Sequence, residues 1–358
     1  MNARELNRAT LARQLLLARE QLDVVEAVER LGALQAQEPR PPFLALWSRV
    51  EGFRRDDLHT ALKKGSVVRA MLMRATLHLA GRGQYAQLRP VLDDVMTRAM
   101  TGALKGRDQG LDLDKVLPAA TKLLKKAPRT FNELRAELSA QFPQVNERAL
   151  GYAVRTQLPL VMVPSDDAWG FPRDAPFALP AMKLRKPDPE ALVLDYLAAF
   201  GPATAADVQR WSGVQGLKPV LDDLRERLVT FKADGAKREL FDVPDAPRPG
   251  ADAEAPPRFL PDFDGLVLAH DDRTRLIADE HKPKIASKNL RIPAMLLWDG
   301  FAAGTWRIER KRGAVTLTVI PFGRLPRAAK KALEPEALAL LAFAEPDAKP
   351  HAFSVQSS

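Results

Sequence analysis

Two stretches of this chain, about seventy residues apart, carry the same order of local signals, and that recurrence limits the possible architectures more than any other feature. In the first, Thr130 and Glu133 form a capping box that opens a helix with Leu134 and Leu138 on one face. A second helix is predicted over 147–156, then an apolar strand over 160–163, a polar turn at Ser165-Asp166-Asp167 and a return strand through Trp169 and Phe171. In the second stretch, Thr204 with Asp207 caps a helix through Val208 and Trp211, and another helix covers 217–227. Strands over 228–232 and 239–243 then pair across an Ala233-Asp234-Gly235 turn. Helix, turn, helix, hairpin is the order of a winged helix, a helix-turn-helix variant. A looser copy opens the chain, with helical periods over 6–17, 24–34 and 55–64 and strands over 67–73 and 76–79.

The fold class expected is therefore α+β, mainly helical, with three tandem winged-helix units over residues 1–110, 111–186 and 187–250. A fourth region, 258–345, is β-rich and basic. Strands are predicted there over 263–269, 294–298, 301–309 and 315–320, with Asp299-Gly300 as a two-residue hairpin turn and a closing amphipathic helix over 328–343. Residues 183–189 and 244–257, rich in proline, read as linkers or exposed loops, and the tail from Pro346 is expected to fray.

Charge is the next constraint, because it is uneven. Residues 282–331 hold twelve lysines and arginines against Asp299 and Glu309, a local balance of 12 − 2 = +10, whereas the whole chain of 358 residues carries +9. The rest of the molecule is thus close to neutral. A concentrated basic window points to phosphate contact, hence a nucleic-acid partner. Lys282 and Lys284, with Arg310, Lys311 and Arg312 at the tip of the last predicted hairpin, are the DNA-binding candidates. Zero cysteines exclude disulfides, thiolate metal sites and cysteine nucleophiles. None of the five histidines forms an i, i+4 metal pair, and neither GxGxxG nor GxxxxGK[ST] occurs, so no metal or other cofactor is expected. A polar N-terminus and the lack of any apolar run near 18 residues lead to the expectation of a soluble, monomeric, cytoplasmic protein that reaches the nucleoid through DNA, with no membrane partner.

Several segments together resemble the winged-helix DNA glycosylase family: Leu34-Gln35-Ala36-Gln37-Glu38-Pro39, Met73-Arg74-Ala75-Thr76-Leu77-His78-Leu79, residues 200–208, His270-Asp271-Asp272-Arg273, and Asp299-Gly300-Phe301 through Gly304-Thr305-Trp306. The similarity runs from about Leu6 to Phe343. It implies three tandem winged helices and a C-terminal β-barrel-like domain around a DNA cleft. It also implies excision of alkylated purines from double-stranded DNA. The family's catalytic motif is Gln-x-Gln in one branch and Gln-x-Asp in another, and Gln35-Ala36-Gln37 matches the first. Thirteen glutamines in the chain would give a Gln-x-Gln by chance about half the time, so the tripeptide acquires meaning only from its family context.

Amides suit this chemistry. A purine alkylated on a ring nitrogen is cationic and leaves readily, so cleavage needs a positioned water and a stabilised oxocarbenium-like sugar. A glutamine carbonyl can accept a bond from that water. Without a lysine nucleophile the expected enzyme is a monofunctional glycosylase acting on cationic alkylpurines, with interstrand crosslinks left open as substrates. Arg74 can bind phosphate or pair with a carboxylate, and His78, His270, Asp272 and Arg273 are candidate lesion or support contacts. For His78 a satisfied core histidine is an equal reading, and Trp306 reads as core. Two rival classes stay open at this point. One is a non-catalytic winged-helix DNA-binding regulator, and the other an interaction scaffold whose basic window meets acidic surfaces.

Overall fold

The computed structural model describes residues 1–234, 238–285, 291–311 and 313–356. The N-terminal block runs α1 (Ala3–Arg13), α2 (Val24–Arg30), β1 (Leu34–Gln35), α3 (Pro41–Trp47), α4 (Arg55–Lys63), β2 (Val67–Met71), β3 (Leu77–Gly81), α5 (Arg82–Val91) and α6 (Asp93–Leu104). The next comprises α7 (Leu113–Lys126), α8 (Phe131–Gln141), α9 (Glu147–Gln157), β4 (Val161–Met162) and β5 (Phe177–Ala178). The third holds α10 (Pro189–Phe200), α11 (Ala205–Ser212), α12 (Lys218–Asp223) and the paired strands β6 (Val229–Lys232) and β7 (Glu239–Asp242). Both expected capping boxes are present, with Thr130 Oγ1 accepting from the Glu133 amide and Thr204 Oγ1 from the Asp207 amide, each at 3.2 Å.

The second hairpin differs from expectation. β4 pairs with β5, not with a strand through Trp169 and Phe171, and β4 also pairs with β2. The first two blocks therefore share one sheet, ordered β1-β3-β2-β4-β5. Trp169 lies instead in the connecting loop, stacked against the guanidinium groups of Arg40 and Arg55, 5.3 and 4.1 Å from the ring centroid. Two cations and the edge of Phe43 give this ring a better-paired site than an edge strand would.

The C-terminal region contains β8 (Arg258–Leu260), α13 (Gly265–Leu268), α14 (Lys282–Ile285), β9 (Met295–Trp298), β10 (Phe301–Lys311), β11 (Ala314–Pro321), α15 (Ala329–Ala344) and β12 (His351–Val355). It is not a barrel: among the described residues its strands form an open sheet, β12-β11-β10-β9-β8. Alternation explains why closure is unnecessary. Leu296, Leu317 and Val319 face a layer built with Leu333 and Leu340 of α15, while Met295 and Leu297 join Leu11 and Leu16 at the N-terminus. With both faces covered by helices, the sheet gains nothing by curling on itself. Trp306 is core, its indole N–H donating to the Leu260 carbonyl at 2.8 Å. The predicted strand over 263–269 is instead the short helix α13, capped by Asp264. The tail does not fray, because β12 pairs in parallel with β11 from Val315 to Val319.

The blocks are tied together by buried ion pairs. Arg13 meets Asp242 at 2.6 Å with both side chains essentially inaccessible, and Arg49 meets Asp264 through two bonds of 2.9 Å. The Asp299-Gly300 turn docks on α1: Asn7 Nδ2 donates to the Gly300 carbonyl at 2.8 Å, and Arg4 and Arg8 pair with Asp299. A Cβ on Gly300, whose φ is 79°, would lie 2.5 Å from Arg8 Nη1, so both conformation and space demand glycine. The same helix receives the segment 244–257, through Arg4 to the Ala251 carbonyl and Arg8 to that of Ala253, so this stretch is a docked strap and not a free linker.

One carboxylate works against the fold. Burial, with Glu29 and Asp188 adding repulsion, pushes the Asp195 carboxyl up to about 6. Its unfolded value is near 3.9, so the folded state resists ionisation and stability falls as pH rises from about 4 through 6. The full shift would be worth about 3 kcal/mol, and because the side chain is only partly buried, solvent screening reduces this to about 1–2 kcal/mol. Asp195→Asn is expected to raise stability by that amount at pH 7.5 and by almost nothing at pH 3, below the unfolded pKa, measured by urea unfolding. An equal gain at both pH values would assign the effect to something other than ionisation.

Candidate active site

The Gln-x-Gln segment begins at the end of strand β1, with Gln35 on the strand and Gln37 in the bend beyond it. Helix α2 stops at Arg30, and Gly32 and Ala33 both take left-handed backbone angles (φ 71° and 67°), turning the chain into β1. There Gln35 sits opposite His78 in the antiparallel register with β3, so the two side chains share a face. Gln35 is buried, while Gln37 emerges into solvent. The Ala36 amide donates to the Leu77 carbonyl at 2.7 Å, and the Leu77 amide donates a long bond, 3.4 Å, to Gln37 Oε1.

Arg74 organises this corner. It occupies the tight turn between β2 and β3 with φ 54°, a left-handed conformation uncommon for a bulky residue. Its Nη2 donates to Gln35 Oε1 at 3.0 Å, and its Nη1 donates to the Trp211 carbonyl near the end of α11. The sequence offered Arg74 as a phosphate contact; the fold uses it to hold the Gln35 amide and tie the turn to the third block. Burial, reinforced by Arg210, lowers its pKa to about 10, so it remains cationic at neutral pH.

His78 is a satisfied core histidine. Its Nδ1 lies 3.0 Å from the Thr76 carbonyl, which requires Nδ1 to carry the proton. Burial and the Arg74 cation bring its pKa to about 3, so it is neutral and supplies no acid. Beneath the motif, Arg69 donates to the carbonyls of Ala36 at 2.9 Å and Gln37 at 3.2 Å. Arg69 was not singled out from the sequence, although an arginine inside the apolar strand predicted over 67–73 was itself a signal. A cavity of about 340 Å³ opens beside Gln37, walled by Arg69, Phe131, Arg155, Met162 and Arg173.

The remaining predicted residues do not converge on this corner. His270 is buried, donates from Nε2 to the Phe200 carbonyl at 3.0 Å and packs edge-on against Tyr196 and Phe200, which makes it an interblock brace. Asp272 is exposed and caps the Thr274 amide at 3.0 Å, and Arg273 lies half-buried in the same turn. Lys282 pairs with Asp279 at 2.5 Å, and Lys284 donates to the Phe322 carbonyl. Arg310, read from the sequence as a DNA-contacting residue of the hairpin tip, ion-pairs with the buried carboxylate of Glu345, which also holds Arg40 at 2.9 Å. Lys311 is exposed, and Arg312 lies outside the described residues. Among the described residues, no group of three or more acidic or histidine side chains could hold a metal, and no helix is long and apolar enough to cross a membrane.

Comparison with known proteins gives a consistent result. The profile of the family described as DNA glycosylase AlkZ-like matches residues 28–343. An interstrand DNA cross-link repair glycosylase from Streptomyces sahachiroi is 26% identical to this chain over 359 aligned positions, covering 91% of this chain and 92% of that protein. The solved structure of Streptomyces sahachiroi DNA glycosylase AlkZ superposes with a TM-score of 0.83 at 22% identity, covering 99% of each chain.

Proposed function

This chain belongs to the AlkZ-like DNA glycosylases, and we propose that it is a monofunctional enzyme hydrolysing the N-glycosidic bond of cationic alkylated purines in double-stranded DNA, interstrand crosslinks included. The observation that carries this reading is the pairing of a buried, guanidinium-held Gln35 with a solvent-facing Gln37 at the mouth of a cavity.

The chemistry follows from what amides can do. Each glutamine carbonyl oxygen has two lone pairs, so the bonds from Arg74 and the Leu77 amide leave one on each side chain for water. The C1′–N bond breaks, and its electron pair neutralises the cationic purine. The oxygen of the oriented water adds to C1′, and its proton passes to solvent. The amide dipoles face the positive charge that develops on the sugar. Two neutral amides stabilise that charge less than a carboxylate would, which confines the enzyme to lesions that leave readily. Neutral His78 cannot protonate a poor leaving group, in keeping with this limit.

The test is a duplex carrying one N7-methylguanine, incubated with the protein and then treated with alkali. The expected product is a break at the lesion that requires the alkali step. Breakage without alkali would indicate a lyase, and no breakage would leave the chain a DNA-binding protein without this chemistry.

A further inference from the structure

The cavity beside Gln37 contains a cation that the fold does not neutralise. Arg155, on α9, lines its wall, and its Nε donates only to the Met71 sulfur at 3.2 Å. Its guanidinium lies 5.8 Å from the Tyr152 ring, and no carboxylate among the described residues forms an ion pair with it. A thioether is a weak acceptor, so this half-buried guanidinium keeps donors to spare. Arg69 and Arg173 join it in the wall. Of the two acidic residues at the rim, Glu38 pairs with Arg291 at 3.5 Å, while Asp174 accepts only from the neutral Asn132 amide at 3.2 Å and keeps its charge, so the wall stays net cationic. Three guanidinium groups repel a cationic base and attract an anion.

Resting on the assignment of Gln35 and Gln37, we propose that this cavity is a phosphate subsite, in which Arg155 and Arg173 grip one backbone phosphodiester next to the damaged nucleotide. The site spans two blocks. Arg69 and Gln37 come from the sheet of the first, Arg155 and Arg173 from the second, and the shared strand pairing of β2 with β4 fixes their separation. A phosphodiester held there would anchor the sugar against Gln37 without any contact to the base. That arrangement tolerates lesions of different bulk, because recognition uses the backbone.

The test uses a duplex with one 2′-fluoro N7-methylguanosine, which resists cleavage, and a series in which each phosphate near the lesion is replaced singly by an uncharged methylphosphonate. Arg155→Gln should weaken binding by about 10-fold and reduce the salt slope by about one phosphate. One methylphosphonate position should weaken wild-type binding similarly, and at that position Arg155→Gln should cause no further loss. Arg155→Lys should retain most of the affinity, and Arg173→Ala, at an exposed position free of packing demands, should reproduce a smaller loss at the same phosphate. If inorganic phosphate alone relieves the effect of every position equally, the site takes a free anion and the proposal fails. Losses that add at every methylphosphonate position, or unchanged binding in both arginine variants, would also overturn it. These readouts need no excision, so a protein that fails the alkali assay can still pass this one, and the reverse.

Discussion

Gln37→Ala is expected to lower excision of N7-methylguanine by ~10²-fold or more, the effect of removing a preorganised polar group from a reaction centre. Binding to the uncleavable duplex and thermal stability should scarcely change, because Gln37 is exposed and its one internal bond is long. Gln35→Ala should lower excision comparably, but with a second consequence. Its carbonyl is an acceptor for Arg74, so its loss strands a donor in a half-buried corner and should also cost about 1–3 kcal/mol of stability. The double variant should lose less than the product of the two, since both amides hold one water. Arg74→Ala should reproduce part of the Gln35 defect in turnover while leaving DNA affinity nearly intact, whereas loss of affinity alone would return Arg74 to the role of a phosphate contact. Gln37→Asp is the more discriminating substitution: activity should survive in part and shift among lesions. Full excision by both alanine variants would remove the assignment.

The largest effect on stability is expected at the Arg49–Asp264 pair. Both side chains are about 1% exposed, and Arg49 also donates to the Gln14 and Ala45 carbonyls. Asp264→Ala would leave a buried guanidinium uncompensated, a loss of about 3–5 kcal/mol. Removing both charges, as Arg49→Met with Asp264→Leu, should recover most of it, short of about 1 kcal/mol for the cap that Asp264 gives the Leu266 amide. Denaturant unfolding of the single and the double variant measures this. A loss below 1 kcal/mol in Asp264→Ala would mean that water reaches the pair.

The features legible in the sequence are those encoded by neighbours. Capping boxes at Thr130 and Thr204, the Asp299-Gly300 turn and the period of α15 depend on residues a few places apart, and all are found where local chemistry puts them. Features missed depend on distant partners. β4 finds β2 more than ninety residues upstream, and nothing in its short apolar run announces that choice over pairing with Trp169 and Phe171. The partners of Arg74 and Arg310, Trp211 and Glu345, lie far away in sequence, so no local signal could assign them. The open sheet in place of a barrel has the same origin, since α1 and α15 cover its faces from opposite ends of the chain. Of the site itself, the Gln35-Ala36-Gln37 segment and Arg74 were visible only through family resemblance, and Arg69, Arg155 and Arg173 only through the fold.

The ion pairs of α1 also bear on how the chain can be made. Arg13 emerges from the ribosome 229 residues before Asp242, a wait of roughly 10–50 s at ordinary translation speed. Throughout that interval the helix cannot bury its basic face, because the carboxylates it needs have not been synthesised. A nascent N-terminal half is therefore unable to reach its final packing alone, and the last third of the message completes a core begun by the first codons. Gene fragments ending at 244–257 would discard the strap and leave Arg8 without Asp299, so truncation there should yield aggregation-prone protein in place of a smaller working unit.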